Sequence, residues 1–170
     1  MKKTIIFLFI SFVLVGLTNA QFIYFNKRID VTGSYEVCRS IIPYKNGYFV
    51  AGGYGDEYDI PHIYLSYIDS IGSLKWTQDY ITSGYAYYFG LSGALFQTTD
   101  KYLAICGSRT PAGPRGYSIL IKVDSLGNRK WEKEYQFSNA NNHLNSGSIT
   151  IDKGYILTGC FREGAEIRNK

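Results

Sequence analysis

The chain has 170 residues, of which 45% are hydrophobic and 16% aromatic, and its formal net charge is +4 at pH 7. This length is consistent with one ordinary domain, and the apolar content is sufficient for a packed core. A charge this weak excludes the strongly basic surface of a nucleic-acid-binding protein, so no nucleic-acid partner is expected.

The N-terminal twenty residues have the pattern of a Sec signal peptide. Two lysines precede an apolar run over residues 5–17, and Ala20 is a small residue placed before the expected cleavage site. The run is shorter than the ~20 residues of a membrane-spanning helix, so no transmembrane segment is expected after cleavage. The mature chain, residues 21–170, would carry 16 basic and 14 acidic residues. This pattern predicts a secreted or cell-surface protein and leaves a periplasmic destination open.

The mature sequence contains an internal repeat. The phrase DSIGSLKWTQDY at residues 69–80 returns as DSLGNRKWEKEY at residues 124–135, 55 positions later. Upstream of these phrases, NGYFVAGGYG (46–55) and DKYLAICGSR (100–109) correspond, and DKGYILTGCFR (152–162) is a third copy. We align the copies on their tyrosines, Tyr48, Tyr102 and Tyr155. Self-similarity at such a period indicates stacked or radially arranged units.

Each unit is interpreted as four antiparallel strands. The glycine of each repeated phrase, with the Asp and Ser that begin it, predicts a tight turn between the last two strands. The predicted strands of the first unit are 36–42, 48–53, 62–69 and 74–80, and those of the second are 93–99, 102–107, 117–124 and 129–135.

These units predict an all-β protein built from β-propeller-like, four-stranded repeats of about 54 residues. The alternative is an open all-β stack or sandwich. Propellers close with about 4–8 blades, more than the two full repeats and one partial repeat predicted here. We therefore expect the chain to be part of a longer product or, if it is complete, to associate with copies of itself. The predicted organisation is a closing strand at about 22–29, repeat one at about 36–80, repeat two at about 93–135 and a partial repeat three at about 147–170.

Two longer phrases, IYLSYIDSIGSLKWTQDY and SILIKVDSLGNRKWEKEY, resemble a known repeat with the approximate form D-x-Y-L-x-K-x-D-x-x-G-N-x-x-W-x-K-x-Y. It is found in secreted proteins of gliding Gram-negative bacteria and is similar to the secreted β-propeller and delta-sixty families. Such proteins often end in a sorting domain for type IX secretion. The resemblance covers most of residues 36–162 and implies a fold and an export route, with no particular activity. The chain departs from the pattern at His62 and Tyr67.

The three cysteines each lie in an apolar stretch of sequence. We favour buried free thiols at Cys38, Cys106 and Cys160, which would act as small hydrophobic side chains. The alternative is a disulfide between Cys106 and Cys160, whose distance the sequence does not give.

No motif for catalysis, metal binding or a cofactor is recognised. The two histidines, His62 and His143, are interpreted as solvated loop residues because no metal-ligand spacing surrounds them. The stretch AGGYGDEYD (51–59) lacks the Lys-Ser/Thr of a phosphate-binding loop and the alternating acids of an EF-hand. We therefore expect no cofactor and no metal, and we favour a non-enzymatic role.

Candidate binding residues lie in the loops that join the second and third strands, which a propeller would bring together on one rim. These loops are 54–61, 108–116 and the segment from Arg162 onward, and variable loops on a rigid scaffold often carry binding. A merely solvated loop is the alternative. The candidates are Tyr54, Asp56, Asp59, Arg109, Arg115 and Arg162.

The aromatic segment GYAYYFG (84–90) is interpreted as a link between units. Its rings would pack between neighbouring sheets or, alternatively, stack on sugar rings. The expected function is that of a secreted, non-catalytic scaffold that binds an extracellular protein or polysaccharide. The alternative is part of a secreted hydrolase or lyase with acid/base residues on the rim.

Expression of the full sequence in a Gram-negative host is expected to yield a product processed after Ala20, because signal peptidase cuts behind small residues. Intact mass and N-terminal sequencing of the exported protein will locate the cut. An exported product that still begins at Met1 would contradict the signal-peptide assignment.

Overall fold

The structure is a computed structural model that describes residues 29–31, 36–55, 60–111, 115–137 and 141–162. The signal peptide and nearly all of the predicted closing strand lie outside these ranges. The described residues form strands, turns and bends, and no helix that could cross a membrane occurs among them.

Eleven described strands form three antiparallel sheets, none of which closes into a barrel or a propeller. The first sheet has the order β1-β2-β3-β4, the second the order β5-β7-β8-β9 with β6 also paired to β7, and the third consists of β10 and β11. The strand bounds are Glu36–Tyr44 (β1), Gly47–Gly55 (β2), Pro61–Asp69 (β3), Leu74–Tyr80 (β4), Tyr85–Phe89 (β5), Leu95–Gln97 (β6), Leu103–Pro111 (β7), Tyr117–Val123 (β8), Arg129–Tyr135 (β9), Asn141–Ile149 (β10) and Tyr155–Arg162 (β11).

The all-β fold class is confirmed, and the first sheet has the four antiparallel strands of the predicted unit, with one correction to the alignment of the copies. Leu103 pairs with Val123 as Tyr48 pairs with Ile68, so Leu103 takes the place that the sequence assigned to Tyr102. The turn before β2 spans residues 45–46, whereas the turn before β7 spans residues 99–101. The longer turn moves Tyr102 out of β7. From Tyr48 and Leu103 onward, equivalent residues of the first two sheets are 55 positions apart in the sequence.

The first strand of the second sheet differs from its prediction. The strand expected at 93–99 is limited to β6, and the segment interpreted as a link contains β5, which pairs with the second half of β7. Residues 90–94 lie between β5 and β6 and interrupt the pairing of this first strand with β7. The first strands of the other two sheets are also irregular, with register shifts between Cys38 and Ser40 in β1 and between Leu144 and Ser146 in β10.

This interruption joins the second and third sheets. The Leu91 amide donates to the Asn145 carbonyl at 2.7 Å, and the Gly147 amide donates to the Gly93 carbonyl at 3.3 Å. Residues 90–94 therefore supply backbone hydrogen bonds between the second and third sheets that strand pairing alone does not provide. The third unit begins at Asn141, six residues before the predicted start, because β10 forms this contact.

One apolar core runs through the stacked sheets. Its buried members include Phe49 and Leu65 from the first sheet, Ile105 and Ile119 from the second, and Leu144 from the third. Strands whose two faces both meet another layer need apolar side chains throughout, which explains the unbroken hydrophobic runs of β7 and β8. Burial of this core is the main favourable contribution to folding.

The three cysteines are free, as favoured, but their surroundings differ. Cys106 is buried, and its burial raises the pKa of the thiol to about 12. Cys38 and Cys160 are exposed, so the prediction of buried thiols is wrong for these two. Their neighbouring apolar residues indicated strands correctly, but not which face of each strand is covered.

The repeated phrase forms the same turn in both sheets, as predicted. The Asp69 carboxylate accepts from the Ile71 and Ser73 amides at 3.1 and 2.8 Å, and Gly72 has a φ of 79°. In the second sheet Asp124 accepts from the amides of Leu126 and Asn128, both at 2.9 Å, and Gly127 has a φ of 83°.

A lysine completes each turn. Lys75 lies 2.7 Å from Asp69, and Lys130 lies 2.9 Å from Asp124. The hydrogen bond from Lys75 lowers the pKa of Asp69, and those from Lys130 and Asn128 lower the pKa of Asp124 against the opposing effect of desolvation. The repeated acids are therefore explained by the turn that each of them stabilises.

Replacing Gly107 with alanine is expected to destabilise the protein by about 2 kcal/mol, because the added carbon overpacks the site against β5 of the same sheet and against Ile63 of the first sheet. A Cβ at this position would lie 2.3 Å from the Tyr88 carbonyl oxygen and 3.0 Å from Ile63 Cδ1. Urea denaturation will measure the loss.

The matched control is Gly53→Ala, in the corresponding strand of the first sheet. Its nearest non-neighbouring atom, the His62 carbonyl oxygen, would be 3.2 Å away. We expect a loss below about 1 kcal/mol. Equal losses for the two variants would contradict the close sheet packing at Gly107.

Candidate functional site

Two adjoining clefts lie between the first and second sheets, at the end where β2 meets β3 and β7 meets β8. We call them together the rim cleft. The inner part, about 260 Å³, is lined by residues that include Arg39, Tyr54, His62 and Tyr88. The outer part, about 450 Å³, is lined by Ile60, Ile81, Tyr85, Tyr88, Thr110 and Pro111. Both rim loops of the described units therefore border one depression.

Tyr88 lines both parts of the rim cleft, and its ring is the most exposed of the aromatic rings in β5. Alternate residues of a strand point to opposite faces, so Tyr87 and Phe89 are buried while Tyr88 is 43% exposed. Two of the four rings of the aromatic segment, Tyr87 and Phe89, therefore have the packing role. Tyr85 is partly buried, and Tyr88 is presented to solvent between the two parts of the cleft.

Among the candidates whose side chains the structure describes, Tyr54 lines the rim cleft. Its hydroxyl donates to the Asp79 carboxylate at 2.7 Å and lies 3.1 Å from His62 Nδ1. The rings of Tyr54 and His62 are 4.8 Å apart. These contacts fix the tyrosine at the wall of the cleft, where its ring lies beside that of His62.

Arg109 occupies the place in the second sheet that Tyr54 occupies in the first. Its guanidinium lies 3.1 Å from Glu132, forms a second ion pair with Glu134, and sits 4.5 Å from the centre of the Tyr85 ring. Glu134 corresponds to Asp79, so both sheets join the end of the second strand to an acid on the fourth. Arg109 is therefore a structural residue beneath the cleft rather than a free cation on a loop.

Glu132 is the centre of this polar cluster. Besides Arg109 it pairs with Arg129 at 2.9 Å and accepts from the Tyr87 hydroxyl at 3.1 Å. Its side chain is only 10% exposed. A carboxylate this buried needs opposing charges, and the two arginines provide them.

Of the other candidates, Arg115 is exposed on the segment between β7 and β8 and does not line the cleft. Arg162 is the final residue of β11. Asp56 and Asp59 lie outside the described residues.

The sequence did not indicate Arg39 or single out Tyr88 within its aromatic segment. Arg39 stands at the register shift of β1. In the sequence it is an isolated arginine within an apolar strand, and no spacing to other polar residues marks it as a binding residue. The exposure of Tyr88 follows from strand alternation, which becomes informative only once residues 85–89 are recognised as a strand.

The interpretation of both histidines as loop residues is wrong. His62 lies in β3 and His143 in β10. His143 Nδ1 is 2.5 Å from the Ser108 hydroxyl, and burial together with the charge of Arg39 lowers the pKa of this histidine. Within the described ranges no group of three His, Cys, Asp or Glu residues could hold a metal ion.

No protein-family model matches this sequence, and a search of curated proteins finds no match.

Arg109→Leu is expected to destabilise the protein by about 2 kcal/mol, because it leaves the poorly exposed Glu132 with one fewer cation. Chemical denaturation will measure the change. Arg115→Leu is the matched control and is expected to change stability by less than about 0.5 kcal/mol, since this side chain is exposed. A larger effect at Arg115 than at Arg109 would refute the assignment of Arg109 to the scaffold.

Proposed function

We propose that this protein is a secreted, non-catalytic scaffold of the β-propeller type that binds an extracellular protein or polysaccharide in the rim cleft. The signal-peptide pattern of residues 1–20 supports export. The repeated antiparallel sheets, which pack on one another through a continuous core, support a propeller-like arrangement of the units.

The observation that carries the binding role is the exposure of Tyr88 between the two parts of the rim cleft. A ring that is 43% exposed in a concave site offers apolar area to a ligand. Tyrosine combines this area with a polar hydroxyl and loses little conformational freedom on binding. Polar groups of Tyr54 and His62 on the adjacent wall can fix the orientation of the ligand.

The stability of the surrounding wall fits this role. Tyr87 and Phe89, on either side of Tyr88, are buried, and the Tyr87 hydroxyl is bonded to Glu132. A binding residue that is held by buried neighbours is preorganised, so little ordering cost accompanies association.

Tyr88→Ala is expected to weaken binding by about tenfold, because it removes the ring from the centre of the cleft. The wild-type protein will be tested against a panel of polysaccharides by affinity electrophoresis and against purified extracellular proteins by biolayer interferometry. Tyr88→Phe, which keeps the ring, is expected to retain most of the affinity.

Leu126→Ala is the matched control for that experiment. Leu126 is 65% exposed, but it lies in the turn between β8 and β9 at the opposite end of the sheet. It should bind as the wild-type protein does. Equal weakening by the substitutions at Tyr88 and Leu126 would argue against the rim cleft as the binding site.

A further inference from the structure

The inner part of the rim cleft has one formally charged side chain among its described lining residues, and that side chain is a cation. The residue is Arg39, and the others are apolar residues, glycines, tyrosines and His62. Arg39 is exposed and forms no ion pair within the part of the chain that the structure describes. It differs in this from Arg109, which is engaged by two glutamates, so the guanidinium of Arg39 is available to a ligand.

The register shift of β1 sets the position of Arg39. Cys38 pairs with Gly52 and Ser40 pairs with Ala51, so Arg39 is an extra residue between two consecutive pairs. A bulge of this kind re-aims a side chain, and such bulges are frequent beside functional sites. The arginine therefore lines the cleft at a point where regular pairing is interrupted.

Tyr88 faces the same space as Arg39. Both residues line the inner volume of about 260 Å³, so one ligand unit placed there can contact both side chains. A guanidinium binds a carboxylate through two parallel N–H donors. The tyrosine ring, 43% exposed, offers its apolar face to the C–H groups of a ring-shaped ligand. The inner part thus complements a carboxylate and an apolar face on a single unit.

We propose that the ligand of the rim cleft is an acidic polysaccharide whose hexuronate unit places its carboxylate on Arg39 and its ring on Tyr88. This inference rests on the binding role proposed above and assigns the class of ligand. The outer part of the cleft, about 450 Å³, takes the neighbouring sugar unit beside Tyr85 and Ile81. No charged residue occurs among the described residues of the outer lining, so charge is recognised in the inner part.

A hexuronate fits Arg39 and Tyr88 better than an acidic peptide does. Its carboxylate is attached directly to the sugar ring, so the charged group and the apolar face are held at a fixed spacing. An Asp or Glu side chain has no ring, and it loses rotamer freedom when its carboxylate is held on an arginine. An acidic protein is accordingly an outcome that the experiment must detect.

The test uses isothermal titration calorimetry of the exported protein with oligosaccharides of galacturonate and of mannuronate. Each is compared with the same oligosaccharide after reduction of its carboxyl groups to alcohols. At least one acidic oligosaccharide is expected to bind about tenfold or more tightly than its reduced form, because reduction removes the partner of Arg39. Dextran sulfate, which is anionic but has no ring carboxylate, is expected to bind more weakly than that oligosaccharide.

Substitutions of arginine separate the specific contact from general charge. Arg39→Gln is expected to reduce the affinity for the acidic oligosaccharide by about tenfold, to near that of the reduced form. Arg39→Lys keeps the charge but loses the paired donors, so its affinity should be intermediate. Arg115→Gln is the matched control, because it removes the same charge from an exposed arginine outside the cleft and should bind as wild type does.

The stability of the variant is checked in parallel. Because Arg39 forms no ion pair within the described ranges, Arg39→Gln is expected to unfold at the same urea concentration as the wild-type protein. A loss of binding at an unchanged midpoint therefore reports the contact with the ligand.

Several outcomes would overturn the assignment. Equal affinity for acidic and reduced oligosaccharides, both weakened by Tyr88→Ala, would leave binding in the rim cleft intact but remove the acidic ligand. Equal weakening by Arg39→Gln and Arg115→Gln would indicate general charge attraction. Tighter binding of dextran sulfate, or binding of an acidic protein alone, would identify a different anion. Absence of binding to every sugar and protein tested would contradict the proposed function as well.

Discussion

The covering of the middle strands on both faces is the constraint on which the rest of the structure depends. Ile119, Leu120 and Ile121 are consecutive in β8, and all three are completely buried although successive residues point to opposite faces. Such a strand is stable only within a stack of layers, because a single sheet would leave one set of these side chains in water. The repeat and the stacked sheets are therefore two aspects of one requirement, since each unit needs its neighbour.

Stacking leaves the ends of the sheets as the places where polar groups can act. The corresponding pairs Tyr54–Asp79 and Arg109–Glu134 both connect the second strand to the fourth at the same end. The side chain on the second strand changes from a neutral donor, Tyr54, to a cation, Arg109. In both sheets it still contacts an acid at the equivalent position of the fourth strand. This position therefore connects two strands within each sheet, and in the first sheet its side chain, Tyr54, also lines the rim cleft.

The parts of the fold that the sequence predicted depend on local chemistry. An Asp that accepts two backbone amides, followed by a Gly with positive φ, forms the same turn wherever it occurs, so the repeated phrase was interpretable without a structure. The strand bounds around it followed for the same reason. The fold class could therefore be assigned from local signals alone.

What the sequence could not provide depends on register and on contacts between sheets. One extra residue in the turn before β7 displaced Tyr102 from the strand, which no composition or period reveals. The division of β5 and β6 arises from hydrogen bonds between Leu91 and Asn145, residues of different sheets. Arg109 looked like a loop cation because Pro111 and the following glycine-containing segment predicted an early end to β7. Its partners on β9 become apparent only when the sheet is assembled.

The irregular first strands are where this protein departs most from a uniform repeat, and residues that line the rim cleft lie in two of them. Arg39 stands at the register shift of β1, and Tyr88 lies two residues before residues 90–94, which follow β5. Regular pairing would fix the side chains of these strands by the same rule in every unit. An interruption in the first strand of each sheet lets the units differ there while the Asp-Ser-x-Gly turns and the middle strands remain the same. In the second sheet the interruption also supplies hydrogen bonds to the third, so it contributes to the stacking of the units.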